Sequence, residues 1–118
     1  MSNRFVIQEH TTGDGVHWDL MLEKGDALAT FRLEQPPETV LNGAVEAVKI
    51  FDHPLRFLTY EGPVQKGTGK VRIVDRGTCR LLDEAEDVIT MDLQGETLRG
   101  SFTLTRIEGT SWQLARRP

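Results

Sequence analysis

Four side chains in this sequence are of the types that hold divalent metals or move protons: His10, His17 and Asp19 in EHTTGDGVHWDLMLE, residues 9 to 23, and His53 in FDHPLRF. Side chains alternate across a strand, so His17 and Asp19 at i and i+2 share one face with Met21 and Glu23, while Val16, Trp18, Leu20 and Leu22 share the other, expected as core. His10 ends a face that also carries Val6 and Gln8, and the short TTGDG connection predicts a hairpin that brings the two strands together. Two imidazoles and one carboxylate would then meet at one point, a donor set that suits a divalent transition metal with open positions for water or substrate. His53 is a fourth candidate, with its backbone restrained by the proline that follows. The plainer alternative is a hydrogen-bonded His and Asp pair without a ligand.

The elements that must position these groups are strands. Apolar residues recur at period two through most of the chain. The expected strands are residues 4–10, 16–23, 27–33, 46–51, 70–76, 88–93, 97–107 and 111–115, separated by TTGDG, EKGD, QPPE, LNG, EGP, KGTG, RGT, LQGE and IEGT. Eight short strands with glycine-bearing turns predict a mostly β fold, a small closed or partly closed β-barrel with little helix. PPETVLNG and HPLRFL allow one helical turn each, too short for a stable amphipathic helix. No repeat or linker divides the chain, so residues 1–118 are expected to form one domain. Trp18, Trp112, Phe102 and Leu104 read as core.

Composition narrows the function. A net charge of −4 opposes general attraction to nucleic acid, so a phosphate partner must meet a local patch. Positive charge gathers at Lys66, Lys70, Arg72, Arg76 and Arg80, and negative charge at DEAED, residues 83 to 87. On the 70–76 strand, Lys70, Arg72, Val74 and Arg76 are expected on one face, a basic face that would border a groove, with Val71 and Ile73 on the other. No apolar run approaches the roughly 20 residues of a membrane span, and the start MSNRFVIQEH has no secretory signal, which predicts a cytoplasmic protein with no membrane partner. Cys79, the one cysteine, has no partner for a disulfide or a thiolate metal site and reads as a structural thiol. GPVQKGTGK has the glycines of a phosphate loop without its strand-loop-helix context and reads as a tight turn.

In order along the chain, RFVIQEH, HWDLMLE, DHPLRFLTYEG, GTGKVRIVDRGTC and LRGSFTLTRIEGTSWQLARR resemble the 3′-phosphoesterase domain family of bacterial DNA ligase D, which also occurs as a stand-alone protein. The likeness covers nearly the whole chain. It implies a β-barrel with a crescent-shaped groove and a bound divalent metal, typically manganese. The activity it implies is removal of a 3′-terminal ribonucleoside or 3′-phosphate from DNA or DNA/RNA ends in repair by end joining, alongside a separate DNA ligase or polymerase. Carried over by motif, the metal ligands are His10, His17 and Asp19, and the phosphate-contacting histidine is His53. Together these four would form the catalytic group.

This sequence departs from the family pattern at several places. Met21 stands where the family has an arginine, and Phe57 where it has a tyrosine. The spacing from His10 to His17 is one residue longer, and the glycine-rich stretch before VRIVDRG is shorter. A lost charge-assisted hydrogen bond is worth about 1.5–3 kcal/mol, so weakened catalysis and a non-catalytic module that binds phosphate or nucleic-acid ends are both open. Arg32, Arg56 and Arg72 are candidates to supply the missing phosphate contact. A non-haem iron oxygenase, with His17, Asp19 and His53 as its ligands, is a further reading, but it leaves His10 without a role.

Overall fold

A computed structural model describes residues 3–64 and 69–117. Its strands are β1 (Asn3–Thr12), β2 (Gly15–Lys24), β3 (Ala27–Leu33), β4 (Val45–Pro54), β5 (Gly62–Pro63), β6 (Lys70–Glu84), β7 (Val88–Gln94), β8 (Arg99–Glu108) and β9 (Ser111–Arg116). The two expected helical turns are 3₁₀ turns, at Pro37–Leu41 and Leu55–Leu58. All pairings are antiparallel, in the order β1-β2-β3-β4-β9-β8-β7-β6, and β6 closes back on β1 to complete an eight-stranded barrel. The short β5 adds to the free edge at the start of β6. Among the described residues no helix is long and apolar enough to cross a membrane.

The barrel interior is filled from alternate positions: Phe5 and Ile7 of β1, Trp18, Leu20 and Leu22 of β2, Phe31 and Leu33 of β3, Phe102 and Leu104 of β8, and Trp112 and Leu114 of β9. Phe31 meets Trp112 edge to face, with centroids 5.4 Å apart, a geometry worth about 0.5–1.5 kcal/mol beyond burial. Cys79 is buried in the same core. Val16 does not join it: near the open end of β2 it is 44% exposed, because the core ends at Trp18.

The wall made by β1, β2 and β3 is covered on its outer side as well. Val6, Met21 and Leu28 point outward and pack with Leu58, Leu55, Phe57 and Ile73 in a second apolar cluster. The chain after β4 therefore lies as a strap over the barrel wall. Gln8, buried beside this cluster, donates both side-chain N–H groups to the strap, one to the Phe57 carbonyl at 3.0 Å and one to the Tyr60 carbonyl at 2.8 Å.

β6 departs from expectation twice. RGT does not end the strand, which continues to Glu84. Gly77 marks a close crossing, since a Cβ there would lie 1.9 Å from the Gln94 carbonyl oxygen. Its faces also differ from a simple alternation, because a bulge opposite Ile7 and Gln8 shifts the register. Val74 packs on the barrel core and Ile73 on the outer cluster. Along its free edge, between β5 and β7, the Glu61 carboxylate accepts the Ile73 N–H, and the buried Asp75 carboxylate accepts the backbone N–H groups of Arg76, Glu96, Thr97 and Leu98. Gln65 to Thr68, with Lys66 and most of the glycine-rich turn, lie outside the described residues; on either side, the Val64 N–H donates to the Gly69 carbonyl.

Candidate functional site

The outer face of β1, β2 and β3 is ordered in rungs. Val6 lies opposite Met21, Gln8 opposite Asp19, and His10 opposite His17; β3 extends two of these rungs, placing Thr30 beside Met21 and Arg32 beside Asp19. The apolar rung is roofed by the strap, and the two polar rungs open into a cleft of ≈ 660 Å³ between the wall and the strap. That volume is typical of ligand sites, which run about 300–1,000 Å³. Its lining includes His10, Asp19, Arg32, His53 and Arg56.

His10, His17 and Asp19 converge as their spacing predicts, with one potential ligand atom from each within 4.8 Å of the others. His10 Nδ1 is 3.1 Å from His17 Nε2, which is 3.5 Å from Asp19 Oδ2. Adjacent donors about 2.1 Å from a shared ion sit roughly 3.0–3.4 Å apart, which the two contacts through His17 approach, while the widest separation in the trio, up to 4.8 Å, exceeds the roughly 4.2 Å that two such donors can span, so the three groups must draw together slightly to hold an ion. The other polar atoms of the pair, Asp19 Oδ1 and His10 Nε2, are buried without a hydrogen-bond partner, and burial, reinforced by the neighbouring His17, holds the His10 imidazole below its ordinary pKa. The neutral ring keeps the lone pair that a metal needs.

The cradle around His10 depends on a glycine that sequence reading treated only as part of a turn. Gly69, at φ +145°, passes so close that a Cβ would lie 2.4 Å from the Thr11 carbonyl oxygen and 2.8 Å from His10 Nε2. Gln8 is the other positioning residue; its place on the rung below His10 is the signal that singles it out.

His53 stands across the cleft at the end of β4 and outside the compact trio. Its Nδ1 is 3.1 Å from the Phe51 carbonyl oxygen and 3.0 Å from Thr30 Oγ1, whose hydroxyl donates to the Leu28 carbonyl. A carbonyl can only accept, so Nδ1 carries a proton, and Nε2 is the ring nitrogen that these contacts leave unengaged. The ligand set His17, Asp19 and His53 required of an iron oxygenase is therefore not the set brought together; His10 takes the third place.

The three candidate arginines separate. Arg32 Nε is buried, lacks a hydrogen bond, and lies 3.7 Å from Asp19 Oδ1. Arg56 lines the cleft and sits over the Phe57 ring, 5.1 Å from its centroid. Arg72 is turned away and paired with Glu9 at 3.1 Å, so the expected basic face of β6 does not border the cleft; Val71 lines it instead. Met21 is fully buried under the strap, where a methionine completes the apolar cluster. Phe57 packs edge to face on both His53 and Tyr60. The Tyr60 hydroxyl donates to the Pro63 carbonyl.

The sequence matches known proteins over nearly its whole length. The family profile of the DNA Ligase D 3′-phosphoesterase domain matches residues 8–106. The chain is 33% identical over 126 residues to the multifunctional non-homologous end joining protein LigD of Mycolicibacterium smegmatis, covering 94% of this chain and 16% of that protein. It is 35% identical over 119 residues to the corresponding DNA repair protein LigD of Mycobacterium tuberculosis, covering 93% and 15%. With LigD of Pseudomonas aeruginosa the identity is 31% over 113 residues, covering 87% and 13%. It thus spans about a sixth or less of the length of these relatives. With the profile covering most of the barrel, the chain belongs to the DNA ligase D 3′-phosphoesterase domain family.

Proposed function

We propose that this chain is a metal-dependent phosphoesterase that processes nucleic-acid 3′ ends, removing a terminal ribonucleoside or 3′-phosphate from DNA or DNA/RNA strands. The observation that carries this reading is the convergence of His10, His17 and Asp19 beside a cleft that also holds Arg32, Arg56 and His53. His10, His17 and Asp19 would hold the metal, with manganese as the proposed ion. When bound, it polarises a phosphoryl oxygen and lowers the pKa of a coordinated water. On the opposite side of the cleft, the fixed Nδ1–H of His53 leaves Nε2 to exchange a proton with the phosphate or leaving oxygen. Arg32, which lines the cleft beside Asp19, takes the phosphate contact that Met21 cannot make. The relatives' role in non-homologous end joining supports repair as the setting and a separate DNA ligase or polymerase as the working partner.

A second reading, a module of the same fold that binds ends without turnover, is favoured by Met21 being committed to packing and by Phe57 having no hydroxyl. Calorimetry with manganese, on the native protein and on a His17→Ala, Asp19→Ala double variant, tests the site. Hydrolysis and binding of a primer ending in one ribonucleotide, measured in parallel, separate the two readings. Manganese binding lost in the double variant, with terminal nucleoside released by the native protein, supports the enzyme. Primer binding without release selects the binding module. Failure to bind both manganese and primer overturns both readings.

A further inference from the structure

Phe51 is the most exposed of the large apolar side chains among the described residues, at 71%, and it lines the cleft. Its ring lies parallel to that of His53, with an interplanar angle of 7° and centroids 4.9 Å apart. One face is therefore covered by an imidazole whose position is fixed by Thr30, and the high exposure places the other face in solvent. A bulge sets this arrangement. β4 uses three steps, Ile50 to His53, where β3 uses two, Thr30 to Leu28. Such an extra residue leaves the ladder and re-aims its neighbours, as bulges beside functional sites do. Phe51 thus adds little to the barrel and presents a flat, preorganised π-face at the mouth of a cleft that holds Arg32 and Arg56. A ligand matching both features carries an anionic phosphate next to a flat aromatic ring, which describes a nucleotide.

We propose that the open face of Phe51, backed by His53, is a stacking platform for the nucleobase at the 3′ end of the strand entering the cleft. This inference rests on the end-processing reading and adds a determinant of substrate binding to it. Stacking of this kind tolerates any base, because each has a π-face. It would therefore select strands that bear a base at the terminus over abasic ends without selecting sequence.

The test uses the full chain with manganese and two primers that have a phosphorothioate terminal linkage to slow turnover. One ends in 2-aminopurine, whose fluorescence is quenched on stacking, and the other in an abasic sugar. The native protein should quench the first and bind it on the order of 10- to 100-fold more tightly than the second. Phe51→Ala should abolish both the quenching and the preference while leaving abasic binding and thermal stability unchanged; Phe51→Trp should restore the preference. Equal binding of the two primers by the native protein, or a preference that survives Phe51→Ala, overturns the platform alone. No binding of either primer overturns the end-processing reading together with it.

Discussion

Replacing Arg32 by alanine should weaken phosphate binding and strengthen, or at least preserve, metal binding, and these opposite signs follow from where the guanidinium sits. Arg32 Nε is buried without a hydrogen-bond partner and lies 3.7 Å from Asp19 Oδ1, beyond hydrogen-bond reach. Arg32 lines the cleft and its side chain is partly exposed, so a phosphate oxygen that reaches the exposed part of the guanidinium would gain a charge-assisted bond without having to break one. Such a bond contributes about 1.5–3 kcal/mol, a factor of roughly 10 to 150 in kcat/KM if it acts in the transition state. The side chain is 37% exposed, so solvent screening favours the lower end of that range. The same positive charge repels a cation at Asp19, so its removal should leave manganese bound at least as tightly. The assays are manganese calorimetry, primer hydrolysis and primer binding on Arg32→Ala, Arg32→Lys and Arg72→Ala. Arg32→Lys keeps the charge and loses the planar fork, and should fall between native and alanine. Arg72→Ala should change turnover by less than about threefold, since its partner is Glu9 and it does not line the cleft. Equal losses in the Arg32 and Arg72 variants, or manganese binding lost with Arg32, would refute the reasoning.

Three further outcomes follow from the same geometry. Asp75→Ala removes the acceptor for four backbone N–H groups, three at the β7–β8 turn and that of Arg76 on β6, and should cost at least about 3 kcal/mol, a fall in Tm of more than about 10 °C by calorimetry; Asp75→Asn, which keeps one acceptor oxygen, should cost less. Gly69→Ala meets His10 and the Thr11 carbonyl and should weaken manganese binding, whereas Gly100→Ala, at a similar φ of +125° but in open space, should carry about 1–3 kcal/mol of backbone strain and leave manganese affinity intact. Cys79, its thiol pushed up to about 11 by burial and then by Asp92, should resist alkylation of the native protein at pH 8 and react once unfolded. Because its folded pKa lies above the unfolded value of about 9, its contribution to stability is complete below pH 9 and is lost as pH rises toward 11, which a series of alkaline denaturant titrations would register.

The convergence of His10, His17 and Asp19 was legible because two local rules fix it. Alternation sets the face, and a short hairpin sets the register, so counting back from Thr12 opposite Gly15 brings His10 opposite His17. The same arithmetic applied to the next hairpin, from Lys24 opposite Ala27, brings Arg32 opposite Asp19, and it would have singled out Arg32 from the other candidate arginines. Arg72 was not separable in this way. It reaches β1 through barrel closure and a bulge opposite Ile7 and Gln8, neither of which leaves a local mark in the sequence. Gly77 misled for a related reason, since a glycine required by close backbone approach and one required by a turn look alike until the crossing strand is known.

Met21 shows what the sequence could not supply. Set against the family pattern it reads as a lost arginine, a subtraction from the site. In the fold it is one of three buried residues, with Val6 and Leu28, that pack under Leu58 of the strap, and the strap also carries Phe57 and Tyr60. An arginine at position 21 would have to bring its charge out of an apolar layer roofed by Leu58, at a cost of several kcal/mol if unpaired. An arginine at position 32 arises from the adjacent strand, one rung nearer the imidazoles and directly beside Asp19, with its head in the cleft. Met21 and Arg32 thus do different work on neighbouring rungs: one packs in the layer that holds the strap, and the other keeps a cation beside Asp19 in the cleft. If the site turns over, the charge available to a phosphate in the cleft is that of Arg32, which is why the Arg32 variants test the proposed function more directly than a restored arginine at position 21 would.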